Sequence, residues 1–147
     1  MDASRDILNV LHLYAECMDS GDFAGAAALF EHADIEIGGG TTVDAAGLLQ
    51  VWKSLVIVYP DGTPRTKHVI TNAIVDVDEV GGSATCRSYY TIFQQLEDFP
   101  LQVIATGRYH DRFGRIEGNW RFVFRDYSLL DHIGDVSRHL TQLPPGQ

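Results

Sequence analysis

Lysine is nearly missing from this chain, with only Lys53 and Lys67 among 147 residues. The 11 basic residues are mostly arginines, and 20 acidic residues outweigh them for a net charge of −9. Phosphate backbones are bound chiefly by clustered Lys and Arg, so this balance excludes nucleic acid as an expected partner. Cysteine is as scarce. Cys17 and Cys86 lie in apolar-periodic stretches without metal-like spacing, which predicts buried free thiols rather than a disulfide. No apolar run reaches the roughly 18 residues of a membrane span. The opening MDASRDILNV carries charges without a basic-then-apolar leader pattern, so a cytoplasmic protein is expected.

Cofactor signatures are absent too. There is no GxGxxG after a strand, no phosphate-cradling GxxxxGK and no GxSxG turn. The six histidines form neither HxH nor HExxH, and neither cysteine sits beside a histidine or at a clear helix start. The chemistry that remains open is proton transfer with no metal and no cofactor.

What is present fills one compact domain, taken as residues 1–147: 45% of residues are apolar and 10% aromatic. Ile7, Val10, Leu11, Tyr14, Cys17 and Met18 recur at helical spacing, which predicts a helix over about 4–20, ended by Gly21. Asp22 can cap a second helix, FAGAAALF, and Thr42 or Asp44 a third, over about 45–58. DIEIGG reads as a short strand between them. Beyond the YPDGTP turn, TKHVITNAIVDV, SATCRSYYTIFQQL, LQVIATGRYHDRF and NWRFVFRDYSLL are β-branched and aromatic runs separated by turn signals. The expected fold is α+β, with three N-terminal helices over one face of a curved, mainly antiparallel sheet. Long strands apolar on both faces predict a second partner for the sheet, and hence a homodimer. The core runs from about 4 to 140, and 141–147 is a polar tail.

Among the histidines, His12, His32, His132 and His139 are assigned structural or surface roles. His68 differs, because strand alternation in KHVITNAIV puts it on one face with Ile70, Asn72 and Ile74. A half-buried imidazole there is either a hydrogen-bonded core residue or a base, and Asp19 could supply the carboxylate that fixes its tautomer. His110, beside Arg108, is an alternative base or a substrate contact. Arg125 on an apolar strand needs an internal acid or a ligand. Tyr14 lies on the buried stripe of the first helix, and of the adjacent Tyr89 and Tyr90 one must face inward. A tyrosine hydroxyl in a dry pocket can stabilise an enolate, although a buried tyrosine can equally serve packing alone.

These residues carry a resemblance. The helix-one tyrosine, DSGDF (Asp19 to Phe23), the pair Leu29 and Phe30, TKH (Thr66 to His68), GRYHDRF (Gly107 to Phe113), GNWRFVFR (Gly118 to Arg125) and GDVSRHL (Gly134 to Leu140) resemble the SnoaL-like division of the nuclear transport factor 2-like superfamily. The resemblance implies a cone-shaped α+β barrel. It further implies kinship with cofactor-independent dehydratases such as those resembling scytalone dehydratase and bile-acid dehydratase. In those an aspartate on the first helix pairs with a histidine on the strand after the third, positions held here by Asp19 and His68. Tyr14 matches their substrate-facing hydroxyl, and Arg125 a substrate- or structure-binding arginine. Where some relatives carry another acid or histidine on the second long strand, this chain has Arg87, Ser88, Tyr89 and Tyr90. The implied activity is elimination or isomerisation on a hydrophobic oxygenated ring compound, by Asp19, His68 and Tyr14, with Arg125, Tyr89, Tyr90 and His110 as substrate contacts. The same fold also hosts non-catalytic binding modules of small hydrophobic molecules, and accessory subunits like the β-subunit of ring-hydroxylating dioxygenases.

Overall fold

Aspartates start all three helices in the computed structural model, which describes residues 2–143. Asp2 accepts from the Arg5 amide ahead of α1 (Ala3–Asp19), Asp22 from Gly25 ahead of α2 (Phe23–Ala28), and Asp44 from Gly47 ahead of α3 (Ala45–Leu55). Asp44, not Thr42, is therefore the third cap. Gly21 takes φ +81 at the end of α1, and any Cβ there would collide with the carbonyl of Gly62. That close approach lets the end of α1 sit on the 59–63 turn that leads into the first long strand.

The sheet is open, curved and mainly antiparallel, in the order β2-β1-β6-β5-β4-β3. Its long strands are β3 (Thr66–Asp78), β4 (Ser83–Leu96), β5 (Phe99–Ile116) and β6 (Asn119–Asp126). β1 (Asp34–Gly38) is the exception in direction, pairing parallel to β6 and antiparallel to β2 (Thr41–Val43), while β7 (Leu130–Ile133) adds to β5. Helix α1 packs its Ile7, Leu11, Tyr14 and Met18 stripe into the concave side, against residues such as Cys86, Tyr109, Phe113 and Phe122. Cys86 is buried and Cys17 half-buried, both as free thiols.

Two irregularities change which side chains face in. β3 bulges between Thr71 and Ile74, with Asn72 at φ 55. His68 and Ile70 keep the concave face, but Ile74 emerges on the convex side, 47% exposed, so strict alternation from His68 fails there. A second shift where β5 meets β6, at Arg112/Phe113, puts both Phe122 and Arg125 in the interior. Alternation alone would have set them on opposite faces. Residues 141–143 of the expected tail are described and exposed; 144–147 lie outside the described residues.

Candidate functional site

Asp19 is the last residue of α1, where a negative charge opposes the helix dipole and no basic residue compensates it. Its carboxylate is occupied from the side instead. Oδ2 accepts the backbone N–H of His68 at 2.7 Å, and Oδ1 accepts the Thr66 hydroxyl at 2.9 Å. Oδ1 also lies 2.6 Å from His68 Nδ1, and the two side chains are only 12% and 4% exposed. A carboxylate already taking two donors can only accept, so Nδ1 carries a proton, and in the neutral ring that tautomer leaves the lone pair on Nε2. The start of β3 thereby holds both members of the pair in register.

His68 lines a cavity of about 110 Å³, whose wall is otherwise mostly apolar, with Leu48, Trp52, Leu55, Ile92, Ala105 and Leu130 among its lining. One ordered water needs roughly 10–15 Å³ of such space, so this cavity exceeds a water site severalfold and approaches the roughly 150 Å³ of an apolar cavity that takes one benzene ring. Its hydroxyls come from Tyr90, Tyr109, Tyr127 and Ser128. Gly107 makes room for Tyr90, whose ring lies where a Cβ would be and stacks on Tyr109 at 4.6 Å.

Tyr14 is not among the lining residues. It is fully buried one layer behind, and its hydroxyl meets Tyr127 Oη at 2.8 Å and Tyr109 Oη at 3.3 Å. Burial holds the Tyr14 and Tyr109 hydroxyls well above the ordinary tyrosine range, so both stay protonated. Tyr127 Oη also accepts from Trp52 Nε1 at 3.2 Å. Trp52 can only donate to Tyr127, whereas the Tyr14–Tyr127 bond can run either way; in the arrangement where Tyr14 donates, the Tyr127 proton is left to point into the cavity. The hydroxyl expected from Tyr14 thus meets the cavity only indirectly, through Tyr127 and Tyr109.

Three further expected contacts also lie elsewhere. Tyr89 is 53% exposed on the convex face, because its neighbour Tyr90 takes the concave one. His110 shares that convex face, in a shallow groove with Asn72, Ile74, Arg87 and Arg108, so it can serve neither as base nor as contact in this cavity. Arg108 is tied there to Asp131 through Nε at 2.9 Å. Arg125 meets an internal acid rather than a ligand: its Nε and Nη2 donate to Asp111 at 2.7 and 2.9 Å, and both side chains are fully buried. Its guanidinium carbon sits 3.7 Å from the Tyr109 ring centroid and 4.4 Å from that of Tyr14. Burial pushes the Asp111 carboxyl up while Arg125 pulls it down. Arg125 therefore supports the tyrosine cluster from below.

His139, assigned a structural or surface role from sequence, lines the cavity and is 6% exposed. Nothing local in VSRHL signals this, because the contacts that bury it come from α3 and the loop after it. Its carbonyl accepts from the Ile57 amide at 2.8 Å, and Leu140 bridges to Val56. Burial, reinforced by His68 and opposed by Asp19, pushes the imidazole down to about 4. An unfolded histidine takes a proton below about 6.5, whereas His139 resists until about 4, so between those values the unfolded chain binds more protons. Its contribution is full above pH 6.5 and is lost as pH falls toward 4, by ~3 kcal/mol in all. Denaturant titrations across that window should show wild-type stability falling with acid and His139→Gln falling less steeply.

Among the described residues no three His, Cys, Asp or Glu side chains cluster as a metal site would require, and no helix is long and apolar enough to cross a membrane. A profile of the SnoaL-like domain matches residues 1–126. The chain belongs to the SnoaL-like family. Comparison with curated proteins by sequence finds no match. Solved structures share the fold of this SnoaL-like chain. A nuclear transport factor 2-like protein with a cystatin-like fold from Novosphingobium aromaticivorans aligns at 21% identity and TM-score 0.70, over 92% of this chain and 86% of its own. A candidate scytalone dehydratase from the same organism aligns at 19% and 0.68, over 90% and 86%. The beta subunit of a candidate aromatic-ring-hydroxylating dioxygenase, also from that organism, aligns at 19% and 0.67, over 88% and 90%. At such identities the likeness is one of fold alone.

Proposed function

We propose that this SnoaL-like protein is a cofactor-independent dehydratase or isomerase acting on a small, hydrophobic, oxygenated ring compound. The observation that carries the reading is the Asp19–His68 contact of 2.6 Å at the wall of an apolar cavity. Neutral His68, oriented through Nδ1 by Asp19, takes with Nε2 a proton from the carbon next to a substrate carbonyl. The electron pair moves onto the carbonyl oxygen, where Tyr127 donates a hydrogen bond and Tyr14 acts behind it as a positioning residue. The imidazolium, stabilised by Asp19, returns the proton either to another carbon, which is isomerisation, or to a departing hydroxyl, which then leaves as water. General-base assistance contributes about 10²- to 10⁴-fold and a preorganised oxyanion donor about 10²- to 10³-fold, and both routes draw on the two together.

The test is exchange of the α-protons of 2-tetralone, a bicyclic ketone, in deuterated buffer followed by NMR. Exchange above the buffer rate that saturates with ketone supports the reading, and exchange at the buffer rate sinks it. A binding module could use the His68 imidazole to hydrogen-bond its ligand; what supports the catalytic reading is the Asp19 contact, which fixes the tautomer that a base requires.

The same proposal includes a homodimer built on the convex face. Val69, Ile74, Tyr89 and Val103 are 37%, 47%, 53% and 44% exposed on that face, an apolar surface flanked by Arg87 and Arg108. Sedimentation should give twice the 16.3 kDa chain mass for wild type and the single chain mass for Ile74→Glu combined with Tyr89→Glu.

A further inference from the structure

His139 carries a buried polar atom with no use inside the protein. Its Nδ1 is closed off from solvent and cavity alike and has no hydrogen-bond partner, and among the described residues no side-chain hydrogen bond involves Nε2, the ring nitrogen left to meet an occupant. A buried donor or acceptor left unpaired is costly, and such groups are ordinarily satisfied by protein, water or ligand. Meanwhile the main chain around it is held with unusual thoroughness. The Arg138 carbonyl accepts from Gln94 Nε2 at 3.0 Å and from the Tyr59 hydroxyl, and Gln94 is itself 1% exposed. The His139 amide donates to Val136 at 3.0 Å, and Thr141 donates to the Leu55 carbonyl at 2.8 Å. The backbone is therefore fixed, while the imidazole it presents to the cavity wall is left unpaired.

We propose that His139 is a ligand-binding residue, its neutral imidazole hydrogen-bonding an oxygen of the cavity's occupant at a position separate from the carbon that His68 attacks. Its strongly depressed basicity means it acts there as an uncharged donor or acceptor rather than as a second base. The occupant is accordingly a ring compound with a hydroxyl or carbonyl oxygen directed at the 136–140 segment, its apolar body against Trp52, Leu55 and Ile92. This deepens the catalytic reading, since it uses the same cavity, but it requires binding only and no turnover.

The test compares 2-naphthol with naphthalene, which differ by one hydroxyl, through quenching of tryptophan fluorescence, Trp52 being in the wall. Wild type is expected to bind 2-naphthol about tenfold more tightly than naphthalene, the value of one well-placed hydrogen bond. His139→Phe should bind both alike, and His139→Gln should recover part of the preference. In case the phenylalanine variant does not fold, the wild-type protein supplies its own readout: the His139 ring nitrogens should shift in ¹⁵N NMR with 2-naphthol and not with naphthalene. Absence of saturable 2-naphthol binding, equal affinity of wild type for the two probes, an undiminished preference in His139→Phe, or unmoved His139 nitrogens would each overturn the assignment. Selectivity that depends on His139 in a protein unable to exchange 2-tetralone protons would leave this inference standing and remove the catalytic one.

Discussion

Alanine in place of His68 is expected to lower kcat/KM for proton exchange on 2-tetralone by about 10³-fold, roughly 4 kcal/mol of transition-state stabilisation. The loss should fall on kcat, with KM little changed, because the imidazole interacts most strongly with the proton in flight. Asp19→Asn probes the same step without emptying the site. Asp19 accepts three donors on two oxygens, from Thr66, the His68 amide and His68 Nδ1. An asparagine has one oxygen, so its NH₂ must face either the amide N–H or the imidazole N–H. The imidazole can relieve that conflict by moving its proton to Nε2, which removes the base. A loss of about 10²-fold or more is expected, by the same reasoning that makes the base worth 10²–10⁴. Wild-type exchange rates in His68→Ala would end the mechanism, whatever Asp19→Asn did.

Asp111→Ala should produce a large loss of stability. Asp111 and Arg125 are both completely buried and joined by two short hydrogen bonds. Deleting the carboxylate leaves a guanidinium stranded under Tyr14, Tyr109 and Phe122, with only ring faces to offset its charge. Breaking one side of a buried pair costs ~3–5 kcal/mol, which for a chain of this size lowers Tm by about 10 °C. Replacing both members, Asp111→Leu with Arg125→Met, should cost far less, since the desolvation penalty of both charges disappears together. A single-variant Tm within about 2 °C of wild type, by calorimetry, would show that water reaches the pair. The two substitutions also separate the roles of the tyrosines. The double variant keeps the Tyr14–Tyr127 bond but removes the cation beneath it, so any change in exchange rate reports on that charge.

Much of this molecule could be read from local signals. Helix periodicity, the caps offered by Asp22 and by Thr42 or Asp44, and glycine turns are short-range effects, and they located the helices to within a few residues at each end. DSGDF and TKH named the Asp19–His68 pair because the residue types and the family pattern coincide there. Facing was harder wherever a strand bulged. Alternation holds in GRYHDRF, where Tyr109 is buried and His110 exposed on the other face, but the bulge at Asn72 turned Ile74 outward, and the shift opposite Phe113 brought Arg125 and Phe122 to one side. A bulge depends on how two strands accumulate curvature, and no period in one strand records it.

Roles that depend on three elements meeting were out of reach. Tyr14 belongs to the apolar stripe of its helix in either case, yet whether its hydroxyl enters the cavity depends on Tyr109 and Tyr127 arriving from β5 and from the segment after β6. His139 looks like any surface histidine in VSRHL until α3 and the loop after it close over it. From residue types and spacing alone came the helices, the strands and a pairing of carboxylate with imidazole, because those follow from interactions along or just beyond one segment. Which tyrosines line the cavity, which arginine is sealed beneath them and which second histidine faces it were decided only by folding, because burial is a property of everything that surrounds a side chain at once.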